Sequence, residues 1–383
     1  MTETGAPITG EKARKRKWKR LSGYWKWMGF LLVVDIILTI LAKIPKVCDI
    51  YTDHIFKIWL ETYGRVTALF PFSVGEIMLL LAALVVMIWI ISVICLIVWR
   101  KSRKYRRYMT RYSKGLLALL LAVVLIMTLN CSMLYGCSKL NVNGHRGEDY
   151  SSGEIRKLWN YVASQCNRLA FEVERDDKGF PVCGGDRNRL LKQAMLKLSV
   201  TYPRLQGMYP DPKPIRCSYL MYQADCTGVY FPFSLEANYN TYLSDLGYPA
   251  TAAHELSHLK GDIYEDEADF MAYMACIGSE EPFIQYSGYL SILGYLQKDY
   301  AESGQYSTED AWLFDQVYED YNNYYYTQET YDAIESTDAI FEKETVEAVS
   351  DGITDTYMDY YDAEPNYEEV TKLMLAYYDG ILY

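Results

Sequence analysis

Residues 253–259 read Ala253-His254-Glu255-Leu256-Ser257-His258-Leu259, with two histidines four residues apart and a glutamate directly after the first. On a helix, side chains four residues apart share a face, so His254 and His258 can bind the same metal ion. Glu255 can then reach a water molecule in the open coordination position of that ion. The chain has only 4 histidines, so a chance match has a probability of about one in a hundred or less. The pattern predicts a metal-binding helix rather than two surface histidines.

Three protein ligands are expected for such a site, and acidic residues follow directly in Glu265-Asp-Glu-Ala-Asp269. Gly261 can provide the turn between the two helices. Glu265 and Asp269 share a helical face, whereas Glu267 points about 200° away from Glu265. We therefore expect Glu265 as the third ligand and Asp269 as the acceptor for the free ring N–H of a ligand histidine, with Glu267 as the alternative ligand. The competing interpretation is an acidic helix start that complements the helix dipole.

Charge and hydropathy divide the rest of the chain into two parts. Residues 1–136 hold 20 Lys and Arg against 7 Asp and Glu, whereas residues 137–383 hold 18 against 42. The first part also contains three apolar stretches, and a helix needs about 20 such residues to cross a bilayer. The predicted membrane spans are 28–44, 77–99 and 115–135.

The first apolar stretch is the shortest of the three, and it carries Asp35 and Lys43. A cleavable signal peptide is the alternative, but residues 1–27 form a long basic region and no small-x-small cleavage site follows. We interpret the stretch as an uncleaved signal anchor in a membrane region of residues 28–136. Asp35 is then either a functional acid inside the membrane or an interfacial residue.

Basic residues predict the orientation, because short cytoplasmic loops accumulate Lys and Arg. One basic cluster, at residues 12–20, precedes the first span, and another, at 100–114, separates the second from the third. Both are expected in the cytoplasm, which places the 46–75 loop and an acidic domain, residues 137–383, outside it. Basic clusters also occur in proteins that bind nucleic acids. Here each cluster borders an apolar stretch, so we expect membrane lipid and no nucleic acid as a partner.

The outer domain is predicted to be mainly α, within the α+β class. Helices are expected at Ser152–Glu174 with Ser152 as the N-cap, at Arg187–Tyr202, and from Pro249 onward with breaks near Gly261, Gly278–Pro282 and Ala363–Pro365. Two short strands, Cys217–Tyr222 and Gly228–Phe233, are expected as a hairpin. His145 is expected in a juxtamembrane loop rather than as a ligand.

Six of the 9 cysteines lie in this outer part, where disulfides can persist. Cys217 and Cys226 flank the segment expected to form the hairpin, so they are the predicted pair. The sequence has no CxxC motif and no Cys/His cluster. A structural zinc site built on thiolates is therefore not expected.

The sequence resembles the glutamate-type zincins, in which a helix with ExxxD follows the HExxH helix. The chain is also similar to an uncharacterised bacterial family of integral membrane proteins. Three segments carry this similarity in the same order along the chain: Gly228–Asn238, Tyr248–His258 and Glu265–Tyr273. That family has three N-terminal spans and a zincin-like outer domain with an ExExD or ExExN motif. Similarity at Ser350–Tyr357 and Leu373–Tyr378 extends the resemblance over most of the chain. It implies a multi-pass protein of the bacterial cell membrane with its zincin-like domain outside the cytoplasm.

The motif and the resemblance together imply one Zn2+ ion and a metallopeptidase that acts on protein or peptide substrates. Zinc lowers the pKa of its bound water from about 15.7 towards 7, and Glu255 is the expected general base. The Tyr230–Phe233 run is either a sheet edge along which a peptide pairs or part of the core. An oxyanion-stabilising side chain is also expected, but 37 tyrosines leave several candidates. The other functional class is a non-catalytic sensor or peptide-binding scaffold with a zincin fold.

Overall fold

The computed structural model describes residues 22–99, 101–144, 150–304, 307–336, 343–361 and 368–383. The first part of the chain forms α1 (Gly23–Leu41), α2 (Pro45–Ile50), α3 (Lys57–Trp59), α4 (Arg65–Ala68), α5 (Val74–Val98), α6 (Arg103–Met127) and α7 (Met133–Tyr135). Three π-helical segments, Tyr51–Phe56, Leu60–Gly64 and Thr128–Ser132, join some of these helices without a break. The N-terminal basic cluster and His145 lie outside the described residues.

Three helices are long and apolar enough to cross a membrane: α1, α5 and the continuous helix from Arg103 to Tyr135. This confirms the prediction of three apolar helices. The first ends at Leu41 rather than at residue 44, because Ile44 precedes Pro45 and adopts an extended conformation. The third starts well before residue 115, because Ser102 caps it by accepting a hydrogen bond from the backbone N–H of Tyr105. Its basic residues are good helix formers and extend it.

Asp35 lies inside α1 and is buried. Its carboxylate accepts a hydrogen bond of 2.7 Å from the hydroxyl of Thr128 in the third π-helical segment. Because a buried carboxylate needs such a partner, this contact connects the first apolar helix to the third.

Residues 45–68, which we call the juxtamembrane segment, pack against the acidic part of the chain. The sequence predicted only an outer loop here. Phe56 and Leu60 are buried in the same hydrophobic core as the acidic part. The ammonium group of Lys57 donates to the carbonyl of Pro203 at 3.0 Å, and the hydroxyl of Tyr63 donates to the carbonyl of Phe233 at 3.0 Å. The segment is thus part of the domain fold.

The second apolar helix also begins on the domain. The buried carboxylate of Glu236 accepts hydrogen bonds from the backbone N–H groups of Val74 at 3.2 Å and Gly75 at 2.8 Å. Helix N-termini leave such groups without internal partners and favour negative charge. Lys213 forms a buried ion pair with the same carboxylate. These contacts fix the start of α5 to the domain.

The acidic part contains two small sheets among many helices, which agrees with the predicted mainly α class. Its strands are β1 (Glu174–Arg175), β2 (Pro181–Val182), β3 (Lys213–Ile215), β4 (Gly228–Phe231) and β5 (Glu236–Asn240). Its helices are α8 (Ser152–Glu172), α9 (Arg187–Leu198), α10 (Ser218–Gln223), α11 (Tyr248–Lys260), α12 (Glu265–Ile277), α13 (Pro282–Ser291), α14 (Leu293–Glu302), α15 (Asp315–Asn322), α16 (Gln328–Glu335), α17 (Lys343–Tyr361) and α18 (Glu368–Tyr378).

The two predicted helices at the start of this part are present but shorter. The N-cap of α8 is Ser151 rather than Ser152, since Ser151 and Glu154 form a reciprocal capping box. Helix α9 ends at Leu198 rather than at Tyr202. Tyr202 precedes Pro203, and a residue before proline is disfavoured in a helix.

The main sheet has the strand order β3-β5-β4, with β3 parallel and β4 antiparallel to β5. Strand β4 lies at an edge of this sheet and ends at Phe231, because Pro232 cannot donate to a strand ladder. The predicted strand Cys217–Tyr222 is wrong. Residues 218–223 form α10 instead, since this run contains no β-branched residue and includes good helix formers such as leucine and methionine.

The predicted disulfide is absent, because all nine cysteines have free thiols in the described chain. Helix α10 separates Cys217 from Cys226, so the expected hairpin geometry does not exist. The thiol of Cys226 instead donates to the carbonyl of Gly228 at 3.0 Å.

Helices α11 and α12 form an antiparallel hairpin at the centre of the domain, packed by α9, α13 and α18. The predicted breaks near Gly261 and Gly278–Pro282 are confirmed. Gly261 has a φ of 102°, the left-handed conformation typical of a helix C-terminus. Further breaks lie between α14 and α15 and between α15 and α16, and Ala363–Pro365 lies outside the described residues.

Candidate metal centre

The two expected histidine ligands lie on α11, deep in the domain. Pro249 occupies the first turn of this helix, where a missing N–H costs nothing. Every residue of α11 except His254 is buried. The His254 side chain is 16% exposed, against 31% for Glu265. The site therefore opens to solvent on the side of His254 and Glu265.

The structure brings the three expected ligand side chains together. The Nε2 atom of His254 lies 3.0 Å from Oε2 of Glu265, and Nε2 of His258 lies 3.6 Å from the same oxygen. One ligand atom from each residue falls within 4.8 Å of the other two. In a tetrahedral zinc site with bonds of about 2.05 Å, neighbouring ligand atoms are about 3.3 Å apart. The two distances to Glu265 lie near this value, so the three residues could hold a metal ion such as zinc.

The other ring nitrogens of the two histidines have separate partners. Nδ1 of His254 lies 2.7 Å from a carboxylate oxygen of Asp269, as the sequence suggested. Nδ1 of His258 lies 2.9 Å from the backbone carbonyl of Asp262. When each Nδ1–H donates to its partner, each Nε2 lone pair is free to bind a metal. The partner of His258 was missed, because a backbone acceptor leaves no signal in residue type.

Glu267, the alternative ligand, lies apart from this cluster. Its side chain is buried, and its Oε1 accepts a hydrogen bond of 2.8 Å from the backbone N–H of Leu140. Leu140 follows α7 by only a few residues. Glu267 therefore holds the chain that leaves the third apolar helix against α12.

Glu255 lies beside the ligands with its carboxylate buried. Its Oε2 has no hydrogen-bond partner among the described residues, although buried carboxylate oxygens are normally paired. A water molecule bound to a metal would supply a partner. On the other side, a Cβ at Gly228 would lie 2.6 Å from Oε1 of Glu255. Only glycine thus leaves room for this carboxylate at the start of β4.

The charges of the site act strongly on one another. Burial lowers the pKa of His254, but the carboxylates of Asp269 and Glu265 outweigh it and raise this pKa well above its ordinary value. Burial raises the pKa of Glu255 to about 7, against the opposing effect of the two histidines. Burial would also raise the pKa of Glu265, yet the histidines hold it well below its ordinary range. The histidines and Glu265 therefore favour each other's charged forms.

Tyrosines surround the helix hairpin mainly as packing residues. The hydroxyl of Tyr273 bonds to that of Tyr378 at 2.8 Å, and the hydroxyl of Tyr286 donates to Asp320 at 2.7 Å. Tyr264, which precedes Glu265, donates to the carbonyl of Tyr135 at the end of α7 at 2.6 Å. This last contact connects the third apolar helix to the start of the helix that carries Glu265.

One family model, described as "Protein of unknown function (DUF3810)", matches residues 51–375. The chain belongs to the DUF3810 family. The matched range runs from the juxtamembrane segment into α18 and includes all the candidate ligands, so the expectation of an uncharacterised family is confirmed. A search of curated proteins found no match, and a search of solved structures found none either.

Proposed function

We propose that this DUF3810 protein is a membrane-anchored zinc metallopeptidase with a zincin-like domain that hydrolyses peptide bonds outside the cytoplasm. One observation carries the proposal. Ligand atoms from His254, His258 and Glu265 converge within 4.8 Å, beside a buried Glu255 whose Oε2 lacks a partner among the described residues. A purely structural metal site has four protein ligands and needs no general base.

The chemistry follows from the positions of the side chains. Zinc, when bound, supplies a Lewis acid that polarises a carbonyl and lowers the pKa of a water molecule. Glu255 accepts the proton of the attacking water and then gives it to the leaving amine. Asp269 and the carbonyl of Asp262 hold the imidazoles of His254 and His258 in the ligand tautomer.

The edge strand supports a peptide as the substrate. Strand β4 pairs with β5 on one side only in the described sheet, and it begins at Gly228, which contacts Glu255. An extended peptide that pairs with the free edge of β4 would pass next to the general base. Such strand addition is a common mode of peptide recognition.

The contacts of the juxtamembrane segment support the proposed topology. This segment and the acidic domain share one hydrophobic core, so both must lie on the same side of a membrane. The basic residues of α6 lie at the opposite end of the third apolar helix. By the distribution of Lys and Arg, that end is cytoplasmic and the domain is extracytoplasmic.

The test uses the full-length protein in detergent with a broad peptide library. Zinc content is measured for the parent, for Glu255→Gln and for the exposed control Glu302→Gln on α14. We expect Glu255→Gln to keep its zinc and to cleave about 100-fold or more slowly, as for loss of a general base. Glu302→Gln should behave like the parent. A Glu255→Gln variant that cleaves as fast as the parent would contradict the assigned role.

A sensor or scaffold is the second candidate, favoured by the direct contact between Tyr264 and Tyr135. Through it, a change at the metal site would reach the third apolar helix. The same library separates the two candidates. A parent protein with full zinc occupancy that cleaves no peptide would favour the sensor.

A further inference from the structure

The turn between α11 and α12 has backbone hydrogen bonds of its own, from Asp262 to Ser257 at 3.1 Å among them, and a charge partner outside the helix hairpin. Asp262, whose carbonyl accepts from His258, lies in this turn directly after Gly261, and its side chain is buried. One of its carboxylate oxygens lies 3.6 Å from Nη1 of Arg204. The other oxygen has no hydrogen-bond partner among the described residues. Arg204 is therefore the main charge partner of the turn that orients His258.

Arg204 is itself held by two carboxylates of the juxtamembrane segment. Its Nε donates to Asp53 at 3.2 Å, and its Nη2 donates to Asp49 at 3.1 Å. Asp49 also accepts hydrogen bonds from the backbone N–H of Ser138 at 3.0 Å and from its hydroxyl at 2.7 Å. A guanidinium group suits this place, because its planar fork can serve several carboxylates at fixed angles.

A second contact connects the same segment to the same turn. A Cβ at Gly261 would lie 2.4 Å from the methyl carbon of Thr52. The left-handed Gly261 thus leaves room for the juxtamembrane segment directly beside Asp262. The segment touches the turn through packing at Gly261 and through charge at Arg204.

We propose that Arg204 is a positioning residue of the metal site, which fixes the Asp262 turn and thereby the imidazole of His258. Asp49 and Asp53 orient the guanidinium group of Arg204. The metal site is consequently a property of the outer domain together with the juxtamembrane segment. This inference rests on the proposed metal site and adds to it a residue that contacts neither the ligands nor the substrate.

The expected effect follows from the role of the Asp262 carbonyl. Without Arg204, the buried carboxylate of Asp262 loses its cation, and an unpaired buried charge is strongly unfavourable. The turn then relaxes, and the hydrogen bond to Nδ1 of His258 is lost or weakened. Loss of an outer partner of a metal-binding histidine typically lowers metal affinity by about 10- to 100-fold.

The test compares two arginines that each bind buried carboxylates. Arg204→Gln removes the proposed positioning residue. Arg175→Gln is the matched control, since Arg175 donates to both oxygens of the buried Asp320 at 2.8 and 2.7 Å but contacts no candidate ligand. Both variants should lower the melting temperature of the metal-free, full-length protein in detergent. Only Arg204→Gln should weaken zinc binding, by about 10- to 100-fold, in a competition titration against a chromophoric chelator.

Two further measurements separate positioning from general stability. With Co2+ in place of zinc, the visible absorption should change in Arg204→Gln and stay the same in Arg175→Gln, because it reports ligand geometry. The double variant Asp49→Asn/Asp53→Asn should also weaken zinc binding, although neither residue contacts a ligand. Equal zinc affinities in Arg204→Gln and the parent, or equal losses in the two arginine variants, would overturn the inference. A parent protein that binds no zinc would instead refute the proposed function itself.

Discussion

Gly228→Ala adds one methyl group against the proposed general base. The new Cβ would lie 2.6 Å from Oε1 of Glu255 and 2.8 Å from its Cγ. Comfortable contacts between non-bonded heavy atoms begin at about 3.5 Å, so the carboxylate must move by about 1 Å. A misplacement of about 1 Å at a reacting group can lower the rate by about 100-fold. We therefore expect kcat to fall by roughly that factor.

The stability of this variant should change much less than its activity. The crowded atoms belong to the side chain of Glu255 rather than to the backbone, and Gly228 does not have a positive φ. We expect a loss of about 1 kcal/mol, at the low end for an added methyl group in a packed site. Zinc content should be unchanged, because the methyl group meets Glu255 and none of the three ligands.

The assay measures kcat and zinc content on a peptide identified in the library, with thermal melting of the same preparations. Gly184→Ala is the matched control, because its Cβ would meet a carboxylate oxygen of Glu281 at an ordinary 3.6 Å. It should retain the parent rate. A Gly228→Ala enzyme that works within about twofold of the parent would refute the placement of Glu255 against β4.

Three further predictions concern the metal and its surroundings. Asp269→Ala should weaken zinc binding by about 10- to 100-fold in a chelator competition. Asp269→Asn should weaken it less, because its side chain keeps a hydrogen-bond acceptor. The reverse order of the two variants would contradict the assigned hydrogen bond to His254. The raised pKa of His254 means that its imidazole keeps a proton up to a pH above 6.5. Zinc affinity should therefore be full on the alkaline side of this pKa and should fall as the pH decreases through it. A zinc affinity that does not change with pH would exclude His254 as a ligand. Glu267→Gln should lower the melting temperature by weakening the contact to Leu140 while zinc affinity stays unchanged, and a large loss of zinc would return Glu267 to the ligand set.

The local part of the site could be predicted from the sequence. The spacing of His254 and His258 and that of Glu265 and Asp269 are both one helical turn, so helix geometry alone places each pair on one face. The distinction between Glu265 and Glu267 has the same origin, since two residues along a helix point to nearly opposite sides. The left-handed turn at Gly261 followed from its residue type.

The contacts between distant segments could not be predicted in this way. Arg204 lies about sixty residues before its partner Asp262 and about one hundred and fifty after Asp53, and no periodicity connects them. The sequence predicted only an outer loop at residues 46–75, because the segment packs on residues far away in the chain, such as Pro203 and Phe233. The strand predicted at Cys217–Tyr222 was wrong because aromatic residues favour strands on average, whereas residues 218–223 form a helix that includes good helix formers.

The third apolar helix has a mechanical consequence for the metal site. It runs unbroken for 33 residues from Arg103 to Tyr135, which at 1.5 Å per residue makes a rod about 50 Å long. A tilt of one degree about the end at Arg103 would move the tip at Tyr135 by nearly 1 Å. That tip accepts the hydrogen bond from Tyr264, the residue before Glu265. If the helix spans a bilayer, as proposed, it adjusts its tilt to the local thickness, and such a tilt would move the contact beside Glu265.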